Sequence, residues 1–249
     1  MRQIIMTKED PSSEPIMIRE VWAHNLQEEF NLIRGFVGTY NFISMDTEFP
    51  GVIFPLKVDH RHLQPYEQYS YLKSNVDALK IIQIGLTLTD AKGNIPRFKN
   101  ICCIWEFNFC DFKIGRDIHN QDSIDMLRRQ DVTWVTFHSA FDFGYLVKIL
   151  TQSYLPNSLE DFLKFLRELF GSKVYDMKYI IRYCSALHGG LERVANILDV
   201  DRAIGKSHQA GSDSLLTWQT FQKIVHTHFT NNEVQKYAGI IFGLEVKAC

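Results

Sequence analysis

Asp46 and Glu48 stand two residues apart in Ser44-Met45-Asp46-Thr47-Glu48-Phe49-Pro50. On a strand, alternate side chains share a face, so both carboxylates project one way and Met45, Thr47 and Phe49 the other. Two acids so close repel unless water or a cation separates them. Taken alone, the pair reads first as a solvent-facing sheet edge. A third acid, Asp142, lies among aromatic and aliphatic neighbours in Phe141-Asp142-Phe143-Gly144-Tyr145-Leu146. In that company it is either a helix-start residue stabilised by the dipole or a ligand. The last piece is His208-Gln209-Ala210-Gly211-Ser212-Asp213. On one ideal helix His208 and Asp213 would sit about 140° apart. They share a site only if His208 lies on the loop before a helix and Asp213 in its first turns. A single histidine, by itself, reads as a surface loop residue.

The pieces have a common chemical logic. Four carboxylates, Asp46, Glu48, Asp142 and Asp213, can hold two hard divalent cations through oxygen ligands. Two such cations roughly 3.5–4 Å apart clamp the attacking and leaving oxygens of a phosphodiester. His208 is then placed to take a proton from the attacking water. The order D-x-E, then D, then H-x4-D is sharper than any of its parts.

Several elements must bring these residues together. Ile18, Val21, Trp22, Leu26, Phe30, Ile33 and Val37 recur at helical spacing and predict one amphipathic helix of about five turns. Strands are expected over Phe42 to Phe49, Lys80 to Leu88 and Ile101 to Phe109, with Asp90-Ala91-Lys92-Gly93-Asn94 as a turn, which suggests an antiparallel meander. A long polar loop is expected to reach about Tyr71, with a short helix around Ser74 to Ala78. Val132 to Phe137 reads as a further strand. Helices are expected at Ser123 to Arg129, Ala140 to Leu150, Leu159 to Phe170, Met177 to Cys184, Leu191 to Leu198 and Ala210 to His226. The fold class is therefore α/β, a mixed sheet flanked by helices. Residues 1–15 read as a flexible tail and 16–249 as a single domain.

Composition narrows the possibilities. The 27 Lys and Arg balance 29 Asp and Glu, a net charge of −2, which excludes a polybasic binder holding nucleic acid by charge alone. Metal ions would have to supply the local positive charge. No stretch approaches 18 uninterrupted apolar residues, so no membrane association is expected. The opening MRQIIMTKEDPSSEP reads as neither a secretory signal nor a transit peptide. Cys102, Cys103, Cys110, Cys184 and Cys249 are odd in number and form no C-x-x-C pair, which points to reduced thiols and no structural zinc.

The sequence resembles the CCR-associated-factor (Pop-type) deadenylases of the CCR–NOT complex, within the DEDDh group of 3′→5′ exonucleases. The resemblance rests on Met45-Asp46-Thr47-Glu48-Phe49-Pro50-Gly51, on Phe137-His138-Ser139 with Phe141-Asp142-Phe143-Gly144-Tyr145, and on His208-Gln209-Ala210-Gly211-Ser212-Asp213-Ser214-Leu215-Leu216. Arg19-Glu20-Val21-Trp22 with Asn25-Leu26, Asn75-Val76-Asp77 to Gly85-Leu86, and Trp105-Glu106-Phe107-Asn108-Phe109 extend it. It covers about residues 16 to 245 and is greatest to the plant versions. The resemblance implies an RNase H-like sheet and two divalent cations, Mg²⁺ or Mn²⁺. It implies removal of mRNA poly(A) from the 3′ end as 5′-AMP. It also implies Asp46, Glu48, Asp142 and Asp213 as metal ligands and His208 as general base. Expected partners are poly(A) RNA, the NOT scaffold subunit and the CCR-type deadenylase, in nucleus and cytoplasm.

One departure stands out. Leu127-Arg128-Arg129-Gln130 runs almost directly into Asp131-Val132-Thr133-Trp134, where the family carries a further segment with its own helix. A folded but catalytically impaired scaffold or regulatory subunit of the same complex is therefore the alternative reading.

Other features read as structural. His60-x-His62 and His226-x-His228 lack further ligands. Cys102-Cys103 suits a core strand, and Asp176 suits a helix N-cap. Tyr66, Tyr69 and Tyr71 with Gln64 and Gln68 read first as packing, with base stacking as the alternative. Phe162, Phe165 and Phe170 read as core, with a partner surface as the alternative.

Overall fold

In the computed structural model, described over residues 15–56, 62–109, 132–230 and 232–245, seven strands form one mixed sheet. The strands are β1 (Ile16–Val21), β2 (Phe42–Glu48), β3 (Gln83–Thr89), β4 (Arg97–Phe98), β5 (Ile101–Asn108), β6 (Thr133–Thr136) and β7 (Val174–Asp176). Their order is β1-β5-β3-β2-β6-β7, with β4 hydrogen-bonded to β5. β2, β3 and β5 pair antiparallel, as the meander requires, while β1, β6 and β7 join parallel.

The helices are α1 (Leu26–Phe36), α2 (Pro65–Ala78), α3 (Ala140–Thr151), α4 (Leu159–Phe170), α5 (Met177–Ile180), α6 (Leu191–Ile197) and α7 (Ala210–His228). Among the described residues, no helix is long and apolar enough to cross a membrane. The expected helix over Ser123 to Arg129, the abbreviated connection around Gln130, Cys110, Cys249 and His60 lie outside the described residues.

The main correction concerns the first amphipathic stretch. Ile18 and Val21 belong to β1, not to a helix continuous with Ile33 and Val37. β1 adds to the edge of β5 in parallel register from Ile16↔Cys102 to Val21↔Phe107. Ile18 then packs with Ile104 and Leu215 on one face, and Val21 in the large cluster on the other. The long-range ladder overrides a local period that both elements could satisfy. A buried pair closes the junction: Arg19 donates two 2.6 Å bonds to Glu29 of α1, whose carboxylate also accepts from the Trp105 indole. A second correction lengthens a short helix. Gln64 and Glu67 make a capping box and Pro65 starts α2, so the last third of the expected polar loop, from Pro65 on, is helix. Its far end is held by α3: Lys148 Nζ donates to the carbonyls of Val76, Asp77 and Leu79, satisfying groups that a helix C-terminus leaves open.

Two layers cover the sheet. α1, α2, α3 and α4 share a large apolar cluster with Met45, Trp105 and Phe107 on one face. α7 lies across β2 and β3 on the other face, with Trp218 against Phe42. Beneath the start of α7, β2 and β3 offer small side chains. Ser44 Oγ donates to the Ser214 carbonyl at 2.8 Å, and Thr87 Oγ1 and Ser214 Oγ lie 2.9 Å apart. Gly85 completes this floor: a Cβ there would fall 1.8 Å from the Ala210 carbonyl oxygen.

Candidate active site

β2 delivers two acids. Asp46 pairs with Gly85 and Glu48 with Gln83 across the β2–β3 ladder, both on the α7 face. Because Gly85 has no side chain, the first turn of α7 settles onto the sheet beside Asp46. Asp213, in that turn, completes a group. Carboxylate oxygens of Asp46, Glu48 and Asp213 all lie within 4.8 Å of one another.

The electrostatics follow from this crowding. Burial pushes the Asp46 carboxyl well above the usual carboxylate range, and the charges of Asp142, Asp213 and Glu48 push it further. Glu48 is also raised by burial, with His208 opposing. A cation among three repelling carboxylates would relieve this. An all-oxygen donor set suits a hard ion such as Mg²⁺ or Mn²⁺ better than a thiolate-seeking metal.

Asp142 approaches from the other layer. It lies in the first turn of α3 and is buried, with Oδ1 accepting from Thr47 Oγ1 at 2.5 Å. Thr47 points away from Asp46 and Glu48, so this contact meets β2 on its far face. Asp142 is outside the 4.8 Å group, yet it is the largest charge acting on Asp46. Burial raises its own carboxyl to about 7, against the lowering effect of the Thr47 hydroxyl. Its helix start is tied down by Asp176, a wholly buried carboxylate that accepts from the backbone N–H groups of His138, Ser139, Lys178 and Phe242. Asp176 therefore does more than cap α5.

His208 sits on the loop before α7 with φ of 60°, its side chain 87% exposed and Nδ1 3.8 Å from Glu48 Oε1. The separation of loop histidine and helical aspartate is the arrangement their spacing demands.

Three neighbours escape a reading of acids and histidines. Arg202 Nη2 lies 2.7 Å from Asp213 Oδ1 and 2.6 Å from Glu192 Oε2, and Nη1 donates to Ser212 Oγ. Its charge pulls the Asp46 carboxyl down. Gly85 admits the helix. Glu106, buried on β5, accepts from the Gly211 N–H. The motif stretches contain two of them, but no spacing rule links Glu106 or Gly85 to α7.

The remaining candidates fall elsewhere. Tyr69 is buried against Phe162 and donates to the Pro156 carbonyl, Tyr71 meets Phe141 edge-on, and Tyr66 is exposed. Phe162 and Phe170 are core, whereas Phe165 is partly exposed. Cys102 and Cys103 are buried. Among the described residues, His62, His226 and His228 join no metal-ligating group.

The CAF1 family ribonuclease model matches residues 21–120 and 110–221. A probable CCR4-associated factor 1 homolog of Arabidopsis thaliana (homolog 10) is 42% identical over 265 aligned positions, covering 94% of both chains. Poly(A) ribonuclease pop2 of Schizosaccharomyces pombe is 39% identical, covering 94% of this chain and 76% of that one. The structure of S. pombe Pop2p in its Mg²⁺- and Mn²⁺-bound form matches with a TM-score of 0.76, over 91% of this chain and 99% of that chain. Yeast CAF1, co-crystallised with the NOT1 MIF4G domain, matches at 29% identity and a TM-score of 0.70, over 91% and 96%. The 265 aligned positions exceed the 249 residues of this chain, so the Arabidopsis relative holds residues that have no counterpart here.

Proposed function

The chain belongs to the CAF1 family of ribonucleases, and on that premise we propose that it removes poly(A) from RNA in the 3′→5′ direction, releasing 5′-AMP. The observation that carries this reading is the convergence of Asp46, Glu48 and Asp213, distant in sequence, within 4.8 Å on one face of the sheet. We assign Asp46, Glu48, Asp142 and Asp213 as the holders of two divalent cations, Mg²⁺ or Mn²⁺. The metal-bound Pop2p structure and the oxygen-only donor set support that assignment. Once bound, such cations stabilise charge on the attacking and leaving oxygens of a phosphodiester.

The chain's own groups do the rest. His208, exposed at the mouth of the site, takes the proton of the attacking water, and the Glu48 carboxylate 3.8 Å away stabilises the resulting imidazolium. Arg202 holds Asp213 in place through its ion pair. Thr47 fixes one oxygen of Asp142. The likeness to yeast CAF1 supports docking on a NOT-type scaffold, beside a CCR-type deadenylase.

The test is stepwise shortening of a 5′-labelled oligo(A) with release of unlabelled AMP in the presence of Mn²⁺, repeated with a chelator and with Asp46→Ala and Asp213→Ala. Hydrolysis that survives either substitution would overturn the ligand assignment. A DNA oligonucleotide of equal length separates an RNA enzyme from a general exonuclease, since the 2′-OH distinguishes them.

A second reading rests on a specific observation. The Arabidopsis relative carries residues this chain lacks, and Asp142 stands outside the tight group. A scaffold or regulatory subunit with little turnover would bind the NOT-type partner while leaving oligo(A) intact.

A further inference from the structure

The first N–H groups of a helix have no intrahelical partner and need acceptors from elsewhere. Gln209, the N-cap residue of α7, makes no side-chain cap bond. Instead, Glu106 Oε2 accepts the Gly211 N–H at 3.1 Å, from a residue 105 positions earlier in the chain. Glu106 is only 3% exposed, and its row across the sheet runs Asp46↔Gly85↔Glu106↔Glu20. It therefore stands two strands from Asp46, on the same face, with only the bare Gly85 between them. Its other oxygen accepts from Gln83 Nε2 at 3.3 Å, and Gln83 also donates to Asn108 at 2.8 Å. A Cβ on Gly211 would lie 3.2 Å from Glu106 Cβ. The fit is close enough that helix and strand hold a single relative position.

From this arrangement we infer that Glu106 is a positioning residue for the proposed reaction: its carboxylate clamps the N-terminus of α7 to the sheet and so sets Asp213 against Asp46 and Glu48. The inference rests on the metal-site reading above and adds a residue to it. The physical basis is double. A buried carboxylate at a helix N-terminus gains from the backbone dipole as well as from the hydrogen bond. The clamp also acts one turn or less from Asp213, so an error there reaches the ligand undamped. Glu106 touches neither substrate nor the reacting atoms in this scheme. Its effect is transmitted through Gly211.

Reach matters more to the clamp than charge, because the hydrogen bond to the Gly211 N–H is what fixes the helix. Glu106→Asp keeps the charge but withdraws it by one methylene, beyond reach of the Gly211 N–H. Glu106→Gln keeps the reach and one acceptor oxygen. The measurements are Mn²⁺ affinity by titration calorimetry, and kcat and KM for AMP release from oligo(A), all well below each variant's melting temperature. Glu106→Asp is expected to weaken Mn²⁺ binding and lower kcat by about 10–100-fold, the range seen when groups that orient metal ligands are lost, with KM changed less than about threefold. Glu106→Gln is expected to restore both to within about threefold of the parent. Equal Mn²⁺ affinity in the Asp variant and the parent would overturn the inference, as would a Gln variant as impaired as the Asp variant. If the parent itself neither binds Mn²⁺ nor hydrolyses oligo(A), the metal-site reading fails instead, and the Asp and Gln forms are then compared by melting temperature: a Gln form no more stable than the Asp form also removes the clamp.

Discussion

Replacing Gly85 with alanine tests whether close helix-to-sheet approach builds the site. The new Cβ would lie 1.8 Å from the Ala210 carbonyl oxygen, 2.0 Å from its carbon and 2.5 Å from the Gly211 nitrogen. All three are backbone atoms in the first turn of α7, so no rotamer change relieves the clash. Cβ atoms essentially never approach below 3.0 Å, so from 1.8 Å the helix must retreat by at least 1.2 Å along that contact. Asp213 lies three residues on and moves with it. A misplacement of about 1 Å in a reacting geometry costs about 10²-fold in rate. Overpacking of this kind costs about 1–3 kcal/mol of stability. For a chain of this size each kcal/mol lowers Tm by about 2–4 °C. The expected outcome is therefore AMP release about 100-fold slower with a melting temperature lower by about 2–12 °C. Gly35→Ala is the control: it lies inside α1 with nothing within 4 Å of its new methyl group. It should leave turnover unchanged and add about 0.5–1 kcal/mol through helix propensity. A Gly85→Ala protein with parental turnover and an unchanged melting curve refutes the argument that the bare floor sets the site.

Four further outcomes follow from the same geometry. Asp142 stays protonated up to about 7 in the folded chain but ionises near pH 4 when unfolded, so the folded form binds more protons between those values. Stability of the metal-free protein should therefore fall as pH rises through that window, by at most about 4 kcal/mol from this group, and saturating Mn²⁺ should reverse the trend; a metal-free melting temperature that rises steadily from pH 4 to 7 contradicts it. Because bound ligands must be deprotonated, Mn²⁺ affinity should climb over the same range, which calorimetry at three pH values checks. Arg202→Ala removes the cation that lowers the Asp46 carboxyl, so the pH of half-maximal Mn²⁺ binding should move upward; no shift, or a downward one, would exclude Arg202 from the electrostatics of the site. His208→Ala should lower kcat by about 10²–10⁴-fold with Mn²⁺ affinity little changed, and a fall in affinity matching the fall in rate would make His208 a ligand instead.

The residue types at Asp46, Glu48, Asp142, His208 and Asp213 were legible in the sequence because chemistry is carried by side chains and their local spacing. So were β2, β3 and β5, whose turns and apolar runs are short-range signals. The bounds of α4 match their expected ones, Leu159 to Phe170, because its apolar residues repeat with an unambiguous period. Ile18 and Val21 misled, since a helical interval also fits a strand followed by a helix. β7 has three residues, too few for any period, and exists because β6 supplies its partner.

What the sequence determined by itself was the set of donors and the order in which they occur. Which of them meet was decided in three dimensions. Gly85, Glu106 and Arg202 acquire their meaning only when α7 lies across β3 and β5, and Asp142 reaches β2 from the layer beyond the sheet, where Thr47 receives it. Convergence of this kind depends on pairing and packing between segments up to 170 residues apart, and local periodicity holds no record of such distances.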